Sequence, residues 1–344
     1  MSKIESEKFG EIDGQVVHLF RLINNRGCYI EIISYGATIK SINVLGENSE
    51  MDNIILGYET LEGYLSNTHY LGATIDRFAN RISNASFVMD DNHYFLNKND
   101  GNNCNHGGFT GFDKKVFECQ INEGKLSMVV KSSHGEAGFP GNITLTIIYQ
   151  LTDENELFID YHVLTDRKTP VNITNHAYFN LSGEENILNH QLKVEADTFI
   201  EANVDFLPTG KCLKMENNPC FDFRVFKEIG MMMQLKQEKI GGYNSYFIAR
   251  EKSKELKKLA ILKSEKKNRS VEVYSTMPGI MIYTGDFLSG VHTPFSGISL
   301  EAQYYPDSPN QPLFPQDYFA FENYWKETIL YRFISDSAIF FSSM

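Results

Sequence analysis

The strongest limit on the fold is an absence: segments with apolar residues at the spacing of an amphipathic helix are nearly missing from this chain. Runs rich in β-branched and aromatic residues recur instead, separated by turn chemistry. Gln15–Ile23, Tyr29–Ser34 and Ala37–Val44 read as strands, with Asn24-Asn25-Arg26-Gly27 as a turn. Glu59–Leu65 suits one short helix. Val88–Leu96 holds two β runs around Asp90-Asp91-Asn92, a hairpin signal, and Ile143–Leu151 with Leu157–Leu164 makes a longer one. The β pattern continues from Gln191 to Met281, with turns expected at Pro208–Gly210 and Gly241-Gly242. Lys252–Arg269 carries eight lysines and arginines interrupted by Glu255 and Glu265, and reads as a solvated hairpin. No internal repeat is present. The chain is therefore predicted to be all-β, a large antiparallel β-sandwich with very few short helices. A length of 344 residues would suggest two domains. No linker divides the chain, so residues 1–344 are expected to form a single domain.

Composition narrows the partners. The net charge is −12 with the acids spread along the chain, which argues against nucleic acid or an anionic membrane surface and favours a neutral small molecule. The five cysteines, Cys28, Cys104, Cys119, Cys212 and Cys220, are widely spaced and form no C-x-x-C pair, so neither zinc nor a disulfide framework is expected. The opening M-S-K-I-E-S-E-K-F-G has no apolar leader core, and no stretch is apolar enough to span a membrane. A soluble cytoplasmic protein is expected, a monomer or weak homodimer.

One stretch stands out chemically. Ser299–Pro315 begins as a strand, with Ile298 and Leu300 apolar and Glu301 on the opposite face. Prolines 306, 309, 312 and 315 then force it to end by about Tyr305. A carboxylate there is either a solvated residue of an edge strand or a group held for chemistry. His106 lies in the Asn- and Gly-rich loop Asn99–Gly108, where it is either surface decoration or a ligand contact. His176, in Val171–Gly183, reads as a hydrogen-bonded core histidine or a catalyst, and His162 as structural.

Five stretches, taken in order along the chain, resemble the aldose 1-epimerases, the galactose mutarotases. They are G-A-T-I-D-R-F-A-N-R-I-S-N-A-S-F, N-C-N-H-G-G, G-E-A-G-F-P-G, N-I-T-N-H-A-Y-F-N-L and L-E-A-Q-Y-Y-P-D-S-P-N. The resemblance covers nearly the whole chain and implies the family's supersandwich, with a monosaccharide in an open cleft on one sheet. It also implies a glutamate base at Glu301 and a histidine acid at His176. The second family histidine matches His106, and the substrate-binding Asn-Arg pair matches Asn80 and Arg81. No metal or organic cofactor is implied.

The chemistry suits these residue types. Ring opening removes a proton from the anomeric hydroxyl and delivers one to the ring oxygen, so a base and an acid act at neighbouring oxygens and exchange roles on closure. Glu301 is expected to be ionised near neutral pH without special tuning. His176 is expected to titrate near working pH. Arg81 offers a fixed fork of donors for adjacent hydroxyls, or only electrostatic support. Asp307 reads as a turn cap, and Gln303, on the same face as Glu301, as a residue that could orient it.

Two positions depart from the family pattern. Asn244 and Ser245 stand where G-x-D-H has its acid and histidine, so charge-assisted bonds from Asn244 to sugar hydroxyls should weaken. Met277 stands in T-M-P-G where the family often has glutamine. The expected function is interconversion of α and β anomers of a free hexose of the galactose or glucose type. The alternatives are a non-catalytic carbohydrate-binding protein on the same fold, or an epimerase for a modified or phosphorylated sugar. A glycoside hydrolase ranks last, because only one carboxylate has a suitable context.

Overall fold

The computed structural model describes residues 2–46, 50–236, 241–315 and 320–335. Three antiparallel sheets carry the fold. A nine-stranded sheet runs in the spatial order Glu118–Asn122, Lys125–Ser132, Ile143–Leu151, Glu156–Pro170, Ala320–Ser335, Arg269–Ser275, Lys257–Ser264, Gln191–Val194, Lys227–Glu228. A six-stranded sheet runs Tyr178–Phe179, Ile298–Gln303, Gly279–Tyr283, Asn244–Ala249, Ala196–Ala202, Pro208–Lys214. A five-stranded meander from Lys3 to Asn53 joins the six-stranded sheet through the bridge Ile55–Phe179. This is the all-β sandwich expected, with two short α-helices, Leu61–Leu65 and Ile229–Gln234, among the described residues.

The core lies between the layers. Ile143–Leu151 alternates buried and half-buried positions along its whole length, the period of a strand with one face inward. One continuous cluster joins Ile32 and Ile39 of the meander to Ile147 and Tyr161 of the nine-stranded sheet and to Phe247, Ile280 and Leu300 of the six-stranded sheet. Each fully buried aliphatic or aromatic side chain of this kind contributes about 1.5–3 kcal/mol.

Local chemistry explains most element boundaries. Gln15–Ile23 forms as read, and the Val88–Leu96 signal becomes Ser86–Met89 paired with Asn92–Phe95 across Asp90 and Asp91. Both turn residues take positive φ, 49° and 61°, the geometry of a tight two-residue hairpin. His162 meets the Tyr324 hydroxyl at 2.9 Å on the neighbouring strand, a structural contact.

Other expectations need correction. Lys252–Arg269 is not a solvated hairpin. Lys257–Ser264 is an interior strand of the nine-stranded sheet, with Leu259, Ala260 and Leu262 buried. Lys257 is itself buried and donates to the carbonyls of Ser253 and Thr276, so its charge is satisfied by backbone and not by water. Pro208–Gly210 opens an edge strand instead of forming a turn, a place where the missing proline N–H breaks no ladder. The charged segment Lys3–Ile12, not singled out as a strand, forms the outer edge of the meander.

Beyond Gln303 the proline-rich loop is tied back to the sheet by Asp307, which is buried and takes φ 52°. Its carboxyl accepts from Ser83 N at 2.9 Å, Asn310 Nδ2 at 2.9 Å and Gln311 Nε2 at 3.1 Å, while its own N–H donates to the Arg81 carbonyl at 3.0 Å. The cap expected there clamps the loop after Glu301 to the segment carrying Arg81. Asp307→Ala should strand these donors and lower the free energy of urea unfolding by about 2 kcal/mol. A loss below about 0.5 kcal/mol, the scale of an ordinary surface change, would contradict the clamp.

Candidate active site

Strand register builds the floor of a cleft. Tyr178 pairs with Ser299, Ser299 with Tyr283, and Tyr283 with Asn244, giving a row across four strands with side chains on one face. Moving two residues along each chain brings His176 opposite Glu301, and Glu301 pairs on its other side with Met281. His176 Nε2 lies 3.5 Å from Glu301 Oε1. Both side chains are buried, and among the described residues His176 Nδ1 and Glu301 Oε2 make no hydrogen bond of ordinary length and angle.

Two short ribbons set the remaining groups. In the first, Thr74–Ile75 pairs with Thr174–Asn175. His176 N donates to Ala73 O at 2.9 Å and Gly72 N donates to His176 O at 3.0 Å, which fixes the histidine backbone on both sides. In the second, Arg81 pairs with Asn105, so Asn80 and His106 become neighbours. His106 Nδ1 accepts from Asn80 N at 3.2 Å. That acceptance places the ring proton on Nε2, making His106 a neutral donor. Arg81 Nε donates to Asp100 Oδ2 at 2.7 Å, and its guanidinium lies 5.3 Å from the Phe206 ring centre. Its terminal nitrogens have no protein partner among the described residues, so they remain available as donors.

Aromatic rings close the walls. The Tyr178 ring centre is 4.9 Å from that of His176, Tyr70 is 4.6 Å from His106, and Tyr283 is 6.4 Å from His176. The tyrosines are held in turn: Tyr178 Oη donates to His69 O at 3.0 Å, and Tyr283 Oη accepts from Phe287 N at 3.0 Å. The cleft holds about 270 Å³. A larger groove of about 450 Å³ beside Ile12, Lys114 and Lys131 has no histidine and no comparable acid–base pair.

Burial governs the electrostatics. Removal from water pushes the Glu301 carboxyl up to about 8, with Ser299 and the Arg81 charge opposing the shift. The same desolvation pushes His176 down to about 4. His106 is held well below its ordinary value, first by burial and then by His176 and Arg81. Neither Glu301 nor His176 therefore has the ordinary titration expected from its residue type. Both shifts disfavour charge, so in the free site burial favours a protonated Glu301 carboxyl beside a neutral His176 imidazole.

All six expected site residues, Glu301, His176, His106, Arg81, Asn80 and Asn244, border this cleft. The two departures behave differently. Asn244 faces the cleft, whereas Met277 has 0% exposure inside the main core and is not a binding residue. Ser245 pairs with core residue Ile282 and turns away. Gln303 does not orient Glu301; its amide donates to Tyr304 O at 3.2 Å. Several lining residues were not singled out, among them Tyr70, Tyr178, Tyr283, Phe287 and Asp100. Tyr178 had a local signal, two residues after His176 on the same strand face; the others depend on long-range pairing. Among the described residues no group of three or more His, Cys, Asp or Glu side chains is disposed to hold a metal ion, and no helix is long and apolar enough to cross a membrane.

Comparison with known proteins gives a consistent result. The Aldose 1-epimerase family model matches residues 18–332. A galactose mutarotase of Mus musculus is 37% identical, covering 92% of this chain and 94% of its own length. An aldose 1-epimerase of Escherichia coli (strain K12) is 35% identical, covering 88% of this chain and 91% of its own. The crystal structure of an aldose epimerase homologue from C. elegans superposes with TM-score 0.87 at 25% identity, covering 92% of this chain and 98% of that one. A galactose 1-epimerase from Lactobacillus acidophilus superposes with TM-score 0.84, also at 25% identity, covering 97% of this chain and 99% of that one. The chain belongs to the aldose 1-epimerase family, and its activity is that of an aldose 1-epimerase.

Proposed function

We propose that the chain interconverts the α and β anomers of a free hexose of the galactose or glucose type, with Glu301 as general base and His176 as general acid. The observation that carries this reading is the buried 3.5 Å approach of His176 Nε2 to Glu301 Oε1, with one further atom of each side chain left unpartnered. Glu301 takes the proton from the anomeric hydroxyl as the bond from C1 to the ring oxygen breaks, and His176 supplies a proton to that oxygen. Rotation about C1–C2 in the open-chain aldehyde and reversal of both transfers give the other anomer. Atoms and charge balance without a cofactor.

The protonation of the free site refines the roles. Ring opening needs a charged Glu301 beside a protonated His176, yet the free pair holds its proton on Glu301. Sugar hydroxyls donating to the carboxylate, and a ring oxygen accepting from His176, favour the charge-separated arrangement once substrate is bound. His106, Arg81, Asn80 and Asn244 are assigned to holding the hydroxyls. Arg81 is paired with Asp100, which favours neutral hydroxyls over a phosphate as its ligand. The core cluster running from Phe20 to Phe333 supports taking residues 1–344 as one functional unit. That unit is assigned to the cytoplasm as a monomer or weak homodimer.

Two measurements test the assignment. Anomer interconversion of freshly dissolved α-galactose and α-glucose, followed by NMR, should run well above the buffer rate. Glu301→Gln and His176→Asn should each lower it by at least about 10²-fold. Retention of more than a tenth of the rate in either variant would remove that residue from the chemistry. The second test is pH. With one shared proton, kcat/KM should be flat between about pH 5 and 7.5 and fall above about 8 as the pair loses it. A rate still climbing through pH 8 after buffer subtraction would show instead that Glu301 works with a different acid.

A further inference from the structure

Three polar residues of the strand Ile298–Gln303 share the cleft face: Ser299, Glu301 and Gln303, while Ile298, Leu300 and Ala302 enter the core. Ser299 has 0% exposure, and among the described residues its hydroxyl makes no hydrogen bond of ordinary length and angle, although it lies close enough to Glu301 to favour that residue's charged form. Among the described residues Glu301 Oε2 is equally without a hydrogen bond of ordinary geometry. A buried donor and a buried acceptor, two residues apart on one strand face, are thus both left unmatched, a costly arrangement unless they serve each other. Gln303 Oε1 is a further buried acceptor without a partner among the described residues, but it lies four residues from Ser299, beyond Glu301, and the other nearby groups are occupied elsewhere. The Tyr178 and Tyr283 hydroxyls, flanking Ser299 in register, engage His69 O and Phe287 N, and the Gln303 amide donates to Tyr304 O.

We propose that Ser299 is a positioning residue for ring opening, its hydroxyl donating to Glu301 Oε2 whenever that carboxylate is charged. The inference rests on the reading of Glu301 as the base. The groups facing Glu301 from other elements are His176, the neutral His106, Arg81 with its partner Asp100, the tyrosines 178 and 283, and Tyr331 from the opposite sheet. Of these, His176 approaches the other carboxylate oxygen, and the Arg81 charge is shared with Asp100. Tyr331 belongs to the main core with Ile298 and Leu300, on the other face of the strand, which leaves Ser299 as the neighbour on the Glu301 face placed to hold Oε2 for an incoming anomeric proton. A hydroxyl donor favours the charged carboxylate, so it opposes the effect of burial, in line with the direction of its influence on Glu301.

The test is the pH profile of Ser299→Ala. Without the donor, the proton is held more tightly on Glu301. kcat/KM should be roughly tenfold below wild type at pH 6.5, the effect of about one pKa unit. The alkaline limb should move up by about the same unit, so that the two enzymes converge toward pH 9.5. Ser299→Thr, which keeps the hydroxyl, should recover most of the loss at pH 6.5. A loss of the same factor at every pH, no loss at all, or a threonine variant as impaired as alanine would overturn the proposal. A second readout does not depend on activity: ¹³C NMR of the glutamate carboxyls in sugar-free protein, with the Glu301 signal assigned by its absence in Glu301→Gln. The titration of that signal should move upward in Ser299→Ala, and an unmoved titration overturns the proposal. A moved titration in a protein that epimerises no aldose would uphold the Ser299–Glu301 contact and defeat the reaction assigned to the pair.

Discussion

The site depends first on the antiparallel register between Tyr178–Phe179 and Ile298–Gln303. Alternation sends Ile298, Leu300 and Ala302 into the main core and leaves Ser299, Glu301 and Gln303 on the cleft face. A slip of one residue would exchange the two sets, burying a carboxylate in the core and removing three apolar side chains from it. Core packing therefore decides which way Glu301 points. The same register, carried two residues further, brings His176 opposite. The ribbons through Thr74–Ile75 and Arg81–Ile82 then need only place short loops against this floor.

Enclosure by tyrosine rings and sheet makes the two central groups unlike their free counterparts. Loss of water disfavours a charge of either sign, so it raises Glu301 and lowers His176, and the two opposite shifts leave one proton to be shared. Such a pair suits a reversible reaction in which each partner must give and take a proton in turn. A permanently ionised glutamate beside a permanently charged histidine would gain more from their mutual attraction and have less tendency to exchange protons with a neutral sugar. Asn244 adds a neutral amide to the cleft wall beside the Arg81–Asp100 pair.

The fold class was legible in the chain because strand signals are local: alternation, β-branched runs and Asp- or Asn-rich turns named most of the strands near their observed ends. The Lys252–Arg269 segment misled for a physical reason. Lys257 is satisfied by backbone carbonyls and Lys258, Lys266 and Lys267 pair with Glu272, Glu184 and Asp52 from other segments, and only sheet order shows that Leu259 and Leu262 face the core. Within the site, Glu301, His176, His106 and Arg81 were readable from short motifs. Met277 was misplaced because its motif says nothing of which face it takes. The aromatic walls, Asp100 behind Arg81 and the shifted protonation all come from contacts between distant segments, which no local pattern encodes.

The central claim is that burial leaves the His176–Glu301 pair with a single proton, resting on the carboxyl until sugar binds. The most direct measurement is ¹⁵N NMR of the imidazole nitrogens in sugar-free protein between pH 5 and 8, with the His176 signals identified by their absence in His176→Asn. The account predicts the shifts of a neutral ring for His176 throughout that range. A protonated His176 at pH 6 to 7, with both nitrogens at imidazolium shifts, would contradict it and would mean that the free site already holds an ion pair.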